Sequence, residues 1–140
     1  MTRKSYVSRA SNHWLLTQIS TQPAVLTLLE MHRFCPEVFA ATEVFVDGGF
    51  TRGTDILKAI ALGATAVGIG RPFLYSLSYG QEGVEHLIEI MKDELESAMK
   101  LSGITDVDQA HPGMVNTAAL EPMIRGEEHP WILWQPKARL

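Results

Sequence analysis

The chain has 140 residues, 46% of them hydrophobic and 20% charged, with a formal net charge of −4. These values are those of one soluble globular domain and supply no basic face for nucleic acid. No apolar run approaches the roughly 18 residues of a membrane span. Single Cys35 excludes an internal disulfide and reads as a buried, reduced thiol.

Residues 1–22 are the least regular part. The opening MTRKSYVSRAS is basic but lacks the apolar segment of a secretory signal. Tyr6 to Ala10 is the candidate first strand, although Arg9 puts a charge in it. From Ala24 to Arg33, the apolar residues Val25, Leu26, Leu28, Leu29 and Met31 predict a helix opened by Pro23, with Gln22 or Thr21 as its cap. Cys35-Pro36 ends it, and residues 37–43 are expected to be a loop.

The next stretch organises the chain: VFVDGGFTRGTDILKAIALGATAVGIGRP, Val44 to Pro72. Val44-Phe45-Val46 reads as a strand buried on both faces of a parallel sheet. Asp47-Gly48-Gly49 breaks it with residues that allow positive φ and close ligand approach. Thr54 is the expected N-cap of a helix carrying Ile56, Leu57, Ile60 and Ala61, and Gly63 stops it. Ala66 to Ile69 is a second buried strand, ending in Gly70-Arg71-Pro72. Two successive parallel strands thus end in glycine turns at one end of the sheet. In a (β/α)₈ barrel, that arrangement after the last two strands is a phosphate site. Backbone N–H groups and the Arg71 guanidinium are the candidate donors.

Beyond Arg71-Pro72, a loop is expected around Tyr79-Gly80 and a long helix from Val84 to Ser102. Its apolar stripe is Val84, Leu87, Ile88, Met91, Leu95 and Ala98. Glu96 and Lys100 form an i,i+4 pair, Gly103 closes the helix, and the carboxylates of 82–96 read as a solvated face. Tyr75 and Tyr79 read as packing residues, and the methionines as core or interface fill. His32, His86, His111 and His129 show no metal-ligand spacing and default to surface or turn roles. From residue 104 periodicity is lost, with turn signals at His111-Pro112-Gly113, Glu121-Pro122 and His129-Pro130. Trp131, Ile132 and Trp134 indicate that the tail packs onto a surface.

DGGFTRGTDILKAIALGA followed by VGIGRPFLY resembles the FMN-dependent α-hydroxy-acid dehydrogenase/oxidase family, which includes glycolate oxidase and cytochrome-type L-lactate dehydrogenase. The similarity runs from about Ser11 to the C-terminus. The resemblance implies an α/β fold: the C-terminal part of a (β/α)₈ barrel, two to three βα units with an irregular tail. A complete barrel takes about 250 residues. On this reading residues 1–22 are a degraded strand and active-site loop, 23–103 the βα units and 104–140 the tail. Asp47, Gly48, Gly49, Arg52, Gly70 and Arg71 match or adjoin positions that hold the FMN phosphate and ribityl chain. The family often has arginine where this chain has Thr51, with Arg52 next. His13, in Ser11-Asn12-His13, matches the base that takes a proton from a 2-hydroxy acid, and imidazole titrates near neutrality as that task requires. The family's substrate-binding arginine falls at Leu16, which cannot pair with a carboxylate.

The resemblance thus implies oxidation of a small L-2-hydroxy acid to the 2-oxo acid with FMN as cofactor. The chain itself is expected to be a fragment inactive alone, with no metal, and to self-associate through exposed barrel edges. Two alternatives stand beside this. One is a non-catalytic flavin- or phosphate-binding, subunit-associating module. The other is a different phosphate-binding barrel enzyme. Ala138-Arg139-Leu140 resembles a peroxisomal address, so the expected location is cytoplasmic or peroxisomal.

Overall fold

A computed structural model of the chain describes residues 3–6 and 23–124. Strands β1 (Arg3–Tyr6), β2 (Thr42–Asp47) and β3 (Ala66–Gly68) form one parallel sheet in that spatial order. Arg3 to Tyr6 stand opposite Thr42 to Phe45, and Phe45 to Asp47 stand opposite Ala66 to Gly68. Helices α1 (Ala24–Phe34) and α2 (Glu37–Ala41) precede β2, and α3 (Gly53–Ala61) joins β2 to β3. After β3 come α4 (Arg71–Ser76), a 3₁₀ turn over Leu77–Tyr79, and α5 (Gly80–Leu101). Three short 3₁₀ turns follow, the last at Glu121–Met123.

The core lies between one face of the sheet and the helices. Val44 and Val46 point to that face and are 0% and 4% exposed, as the two-residue side-chain period of a strand requires. They meet Leu26, Leu28 and Leu29 of α1, Ala59 of α3, and Leu62. Val115, Leu120 and Ile124 of the tail pack against the same cluster. Phe45, on the opposite face, is only half-buried. Full burial of this strand is therefore seen on its helix-facing side, with Phe45 partly covered on the other.

Two helices stop as their glycines predict. Gly63 has φ +93°, its N–H donates to the Ile60 carbonyl, and the Ala64 N–H donates back to Ala59. Gly103, at φ +73°, ends α5 the same way through Lys100 and Met99. Both are Schellman closures, in which a left-handed residue lets two orphan carbonyls find donors.

Several other expectations are corrected. The first strand is Arg3–Tyr6, not Tyr6 to Ala10, so part of the segment expected to be irregular is a paired strand; residues 7–22 lie outside the described residues. Pro23 itself occupies the N-cap of α1. The expected loop at 37–43 holds α2, and the Thr42 hydroxyl donates to the Val38 carbonyl where the chain turns into β2. The long helix starts at Gly80 rather than Val84, since Gly83 lets its first turn lie against the Ser76 carbonyl: a Cβ there would stand 2.3 Å from that oxygen. Tyr75 and Tyr79 are 70% and 82% exposed and do not pack on any described element. Met91 is buried but Met123 is 61% exposed, and Cys35 is half-buried. His32 is no surface residue by default: its Nε2 hydrogen-bonds the Leu62 carbonyl at 2.6 Å and its ring stacks on Phe39 at 4.1 Å.

Candidate functional site

Parallel pairing of β2 and β3 brings the two glycine turns together. Asp47 and Gly68 are register partners at the strand ends. A Cβ on Gly68 would come 2.9 Å from the Asp47 Cβ, so glycine is what lets the strands close up there. Gly48 and Gly49 then take φ of +93° and +89°, a left-handed pair that a side chain would strain. Phe50, 8% exposed, plugs the far side of the turn into the core. Across from it, Gly70 starts α4 and Arg71 is its first residue.

This corner is open. A Cβ built on Gly49 or Gly70 meets nothing within 4 Å. Arg71 is exposed and, among the described residues, pairs with no carboxylate. Bare backbone at two turns next to an arginine is a donor set that suits a phosphate group. Asp47 is half-buried at the same strand end.

The neighbouring start of α3 is different, because carboxylates already occupy it. Asp55 Oδ2 accepts from the N–H groups of Thr51 (3.2 Å) and Arg52 (3.1 Å). Glu94 Oε2, from α5, accepts from the Gly53 N–H at 2.8 Å. Arg52 is the N-cap residue, and Thr54, expected in that role, lies inside the helix. The Arg52 guanidinium lies 3.5 Å from Glu94 Oε1, so this side chain is directed to α5. Glu94 was not legible as a functional side chain; the carboxylates of 82–96 looked like a solvated face, yet this one is 29% exposed and bonded to another helix. Glu96 and Lys100 do form the expected surface pair, at 3.4 Å.

An apolar groove of about 290 Å³ runs between α3, β3, α4 and α5, lined by Ile56, Val67, Ile69, Phe73, Met91 and Leu95 among others. Lys92 is the one charged residue of its lining. His13 and Leu16 lie outside the described residues, as does the Ala138-Arg139-Leu140 terminus. Among the described residues no group of three His, Cys, Asp or Glu is placed to hold a metal, and no helix is long and apolar enough to cross a membrane.

Comparison with known proteins gives this corner a context. The family model for FMN-dependent dehydrogenases matches residues 11–117. The cytochrome L-lactate dehydrogenase of Saccharomyces cerevisiae is 54% identical over 80 residues, covering 56% of this chain and 14% of that enzyme. Glycolate oxidase 2 of Oryza sativa subsp. indica is 45% identical over 101 residues, covering 71% of this chain and 27% of that protein. The chain therefore spans less than a third of the length of these relatives. A flavocytochrome b2 structure with sulfite bound superposes with a TM-score of 0.66 at 38% identity, over 83% of this chain and 32% of that one. The parallel βα units described above are thus part of a (β/α)₈ barrel of the kind found in FMN enzymes. This chain belongs to the FMN-dependent dehydrogenase family.

Proposed function

We propose that this chain carries the FMN-phosphate seat of an (S)-2-hydroxy-acid oxidoreductase. The observation that carries the reading is the pair of open glycine turns at Gly48-Gly49 and Gly70, brought side by side by the Asp47–Gly68 register, with Arg71 next to them. Backbone N–H groups of the turns and the Arg71 guanidinium hold the phosphate, and Asp47 faces the polar ribityl chain. FMN, when bound, supplies a two-electron acceptor for oxidising an L-2-hydroxy acid to its 2-oxo acid. His13 takes the hydroxyl proton in that reaction. Leu16 leaves the substrate carboxylate without a guanidinium, a loss of charged hydrogen bonds worth about 1.5–3 kcal/mol each. Residues 23–103 form the βα units, 104–140 the tail, of which Val115, Leu120 and Ile124 pack on the core, and 1–22 the segment bearing His13.

On these grounds the chain by itself binds the phosphate end of FMN and does not turn over. The test is an absorption spectrum of the purified chain reconstituted with FMN, followed by anaerobic glycolate or L-lactate. Bound flavin that stays oxidised is the expected result. Bleaching of the flavin would show a working site and refute the inactivity; no bound flavin would refute the seat.

A second reading, a subunit-associating module, is favoured by one surface. Leu74, Tyr75, Leu77 and Tyr79 lie within six residues and are 59–82% exposed, a density of exposed apolar side chains that marks contact surfaces. Self-association through this patch and the outer sheet edges is compatible with flavin binding. We also read the C-terminal Ala138-Arg139-Leu140 as a peroxisomal address; a fluorescent fusion lacking these three residues should lose organelle targeting.

A further inference from the structure

We propose that Glu94, on α5, is a positioning residue for the flavin phosphate: it fixes the β2–α3 connection so that Gly48 and Gly49 hold their left-handed geometry. The inference rests on the reading of the glycine turns as the phosphate seat. Glu94 touches no part of that seat. Its carboxylate bridges two groups of the connection, taking the Gly53 N–H at 2.8 Å on one oxygen and facing the Arg52 guanidinium at 3.5 Å with the other.

The connection is short, and both its ends are pinned. Phe50 is buried in the core directly after the turn. Three residues later, Gly53 lies against the α5 backbone so closely that a Cβ would stand 2.4 Å from the Leu95 nitrogen and 2.5 Å from the Met91 carbonyl oxygen. Between them, Thr51 and Arg52 give their N–H groups to Asp55. Among the described residues, only Glu94 bonds this connection with a side chain from a distant helix, so it ties the turn to the seating of α5. It also consumes Arg52: a guanidinium that neutralises Glu94 keeps the carboxylate's charge from opposing an incoming phosphate dianion. Arg52 is then the counter-ion of Glu94, and Arg71 the ligand of the phosphate.

The test separates phosphate positioning from general stability by using two flavins. FMN and riboflavin differ only in the phosphate, and both are titrated against the 140-residue chain by quenching of flavin fluorescence. Wild type is expected to bind FMN more tightly than riboflavin. Glu94→Ala should weaken FMN about tenfold and leave riboflavin unchanged, by loss of one charged hydrogen bond. Glu94→Gln keeps an acceptor for the Gly53 N–H and should recover most of the FMN affinity. A role in stability alone would lower both flavins together, and that result overturns the inference. Wild type that fails to prefer FMN overturns the seat itself, which distinguishes the two failures. Backbone order decides the link independently of any flavin: Glu94→Ala should lower the NMR amide order parameters at Gly48 and Gly49 as well as at Gly53, and unchanged values at the two turn glycines refute the coupling.

Discussion

Replacing Gly53 by alanine adds one methyl group where the start of α3 lies against the α5 backbone. That methyl would sit 2.4 Å from the Leu95 nitrogen, 2.5 Å from the Met91 carbonyl oxygen and 2.8 Å from the Glu94 Cβ. Two of the three are backbone atoms in the middle of a 22-residue helix, so no rotamer change can clear them. Either α5 moves away or the start of α3 does. Overpacking of this kind costs about 1–3 kcal/mol, and moving α3 would also break the 2.8 Å bond from Gly53 to Glu94, worth about 1.5–3 kcal/mol as a hydrogen bond to a charged group. Against this, alanine gains at most about 1 kcal/mol over glycine in helix propensity. The net expectation is a loss of about 2–4 kcal/mol. Urea denaturation followed by circular dichroism measures it, with Gly70→Ala as the matched control. Gly70 has φ −101° and open space around its Cβ, so the same methyl there should shift stability by less than about 0.5 kcal/mol. Equal stability of Gly53→Ala and wild type would refute the argument that glycine is required for this contact.

Three further expectations follow from the same geometry. Arg71→Ala should reduce the preference for FMN over riboflavin by about tenfold or more in a fluorescence titration, while Arg52→Ala, whose partner is Glu94, should reduce it less; the reverse order would exchange their roles. His32→Ala removes both the bond to the Leu62 carbonyl and the stack on Phe39, and should cost about 1–3 kcal/mol in urea denaturation. Tyr75→Ser combined with Tyr79→Ser should lower the sedimentation-average mass of the chain at micromolar concentration, and an unchanged distribution would remove this patch from the association surface.

How much of the site was legible follows from which interactions are local. Gly63 and Gly103 stop helices because a left-handed residue is needed one step past the last turn, and that need is written in sequence order. Asp47-Gly48-Gly49 and Gly70-Arg71 stood out for the same reason, since each turn is made of adjacent residues. Their joint meaning depended on a parallel pairing that alternating strand and helix patterns already imply. The expected loop at 37–43 holds a five-residue helix, too short to show periodicity, and the one around Tyr79-Gly80 is a three-residue 3₁₀ turn that runs into the first turn of α5.

By itself, then, the sequence determined the two strand-ending glycine turns, the helix between them and the family to which they belong. The tertiary structure alone decided what surrounds them. Thr54 is a sound cap on local grounds, but α5 arrives at the start of α3 and supplies Glu94 from 41 residues away. Arg52 sits beside the glycine turn in sequence, and the same helix draws its guanidinium to the other side. Local conformational preference acts over a few bonds and leaves its mark in residue order. The partner of a side chain is set by which helix packs beside it, and close contacts such as Gly53 on Leu95 exist only once the layers have met.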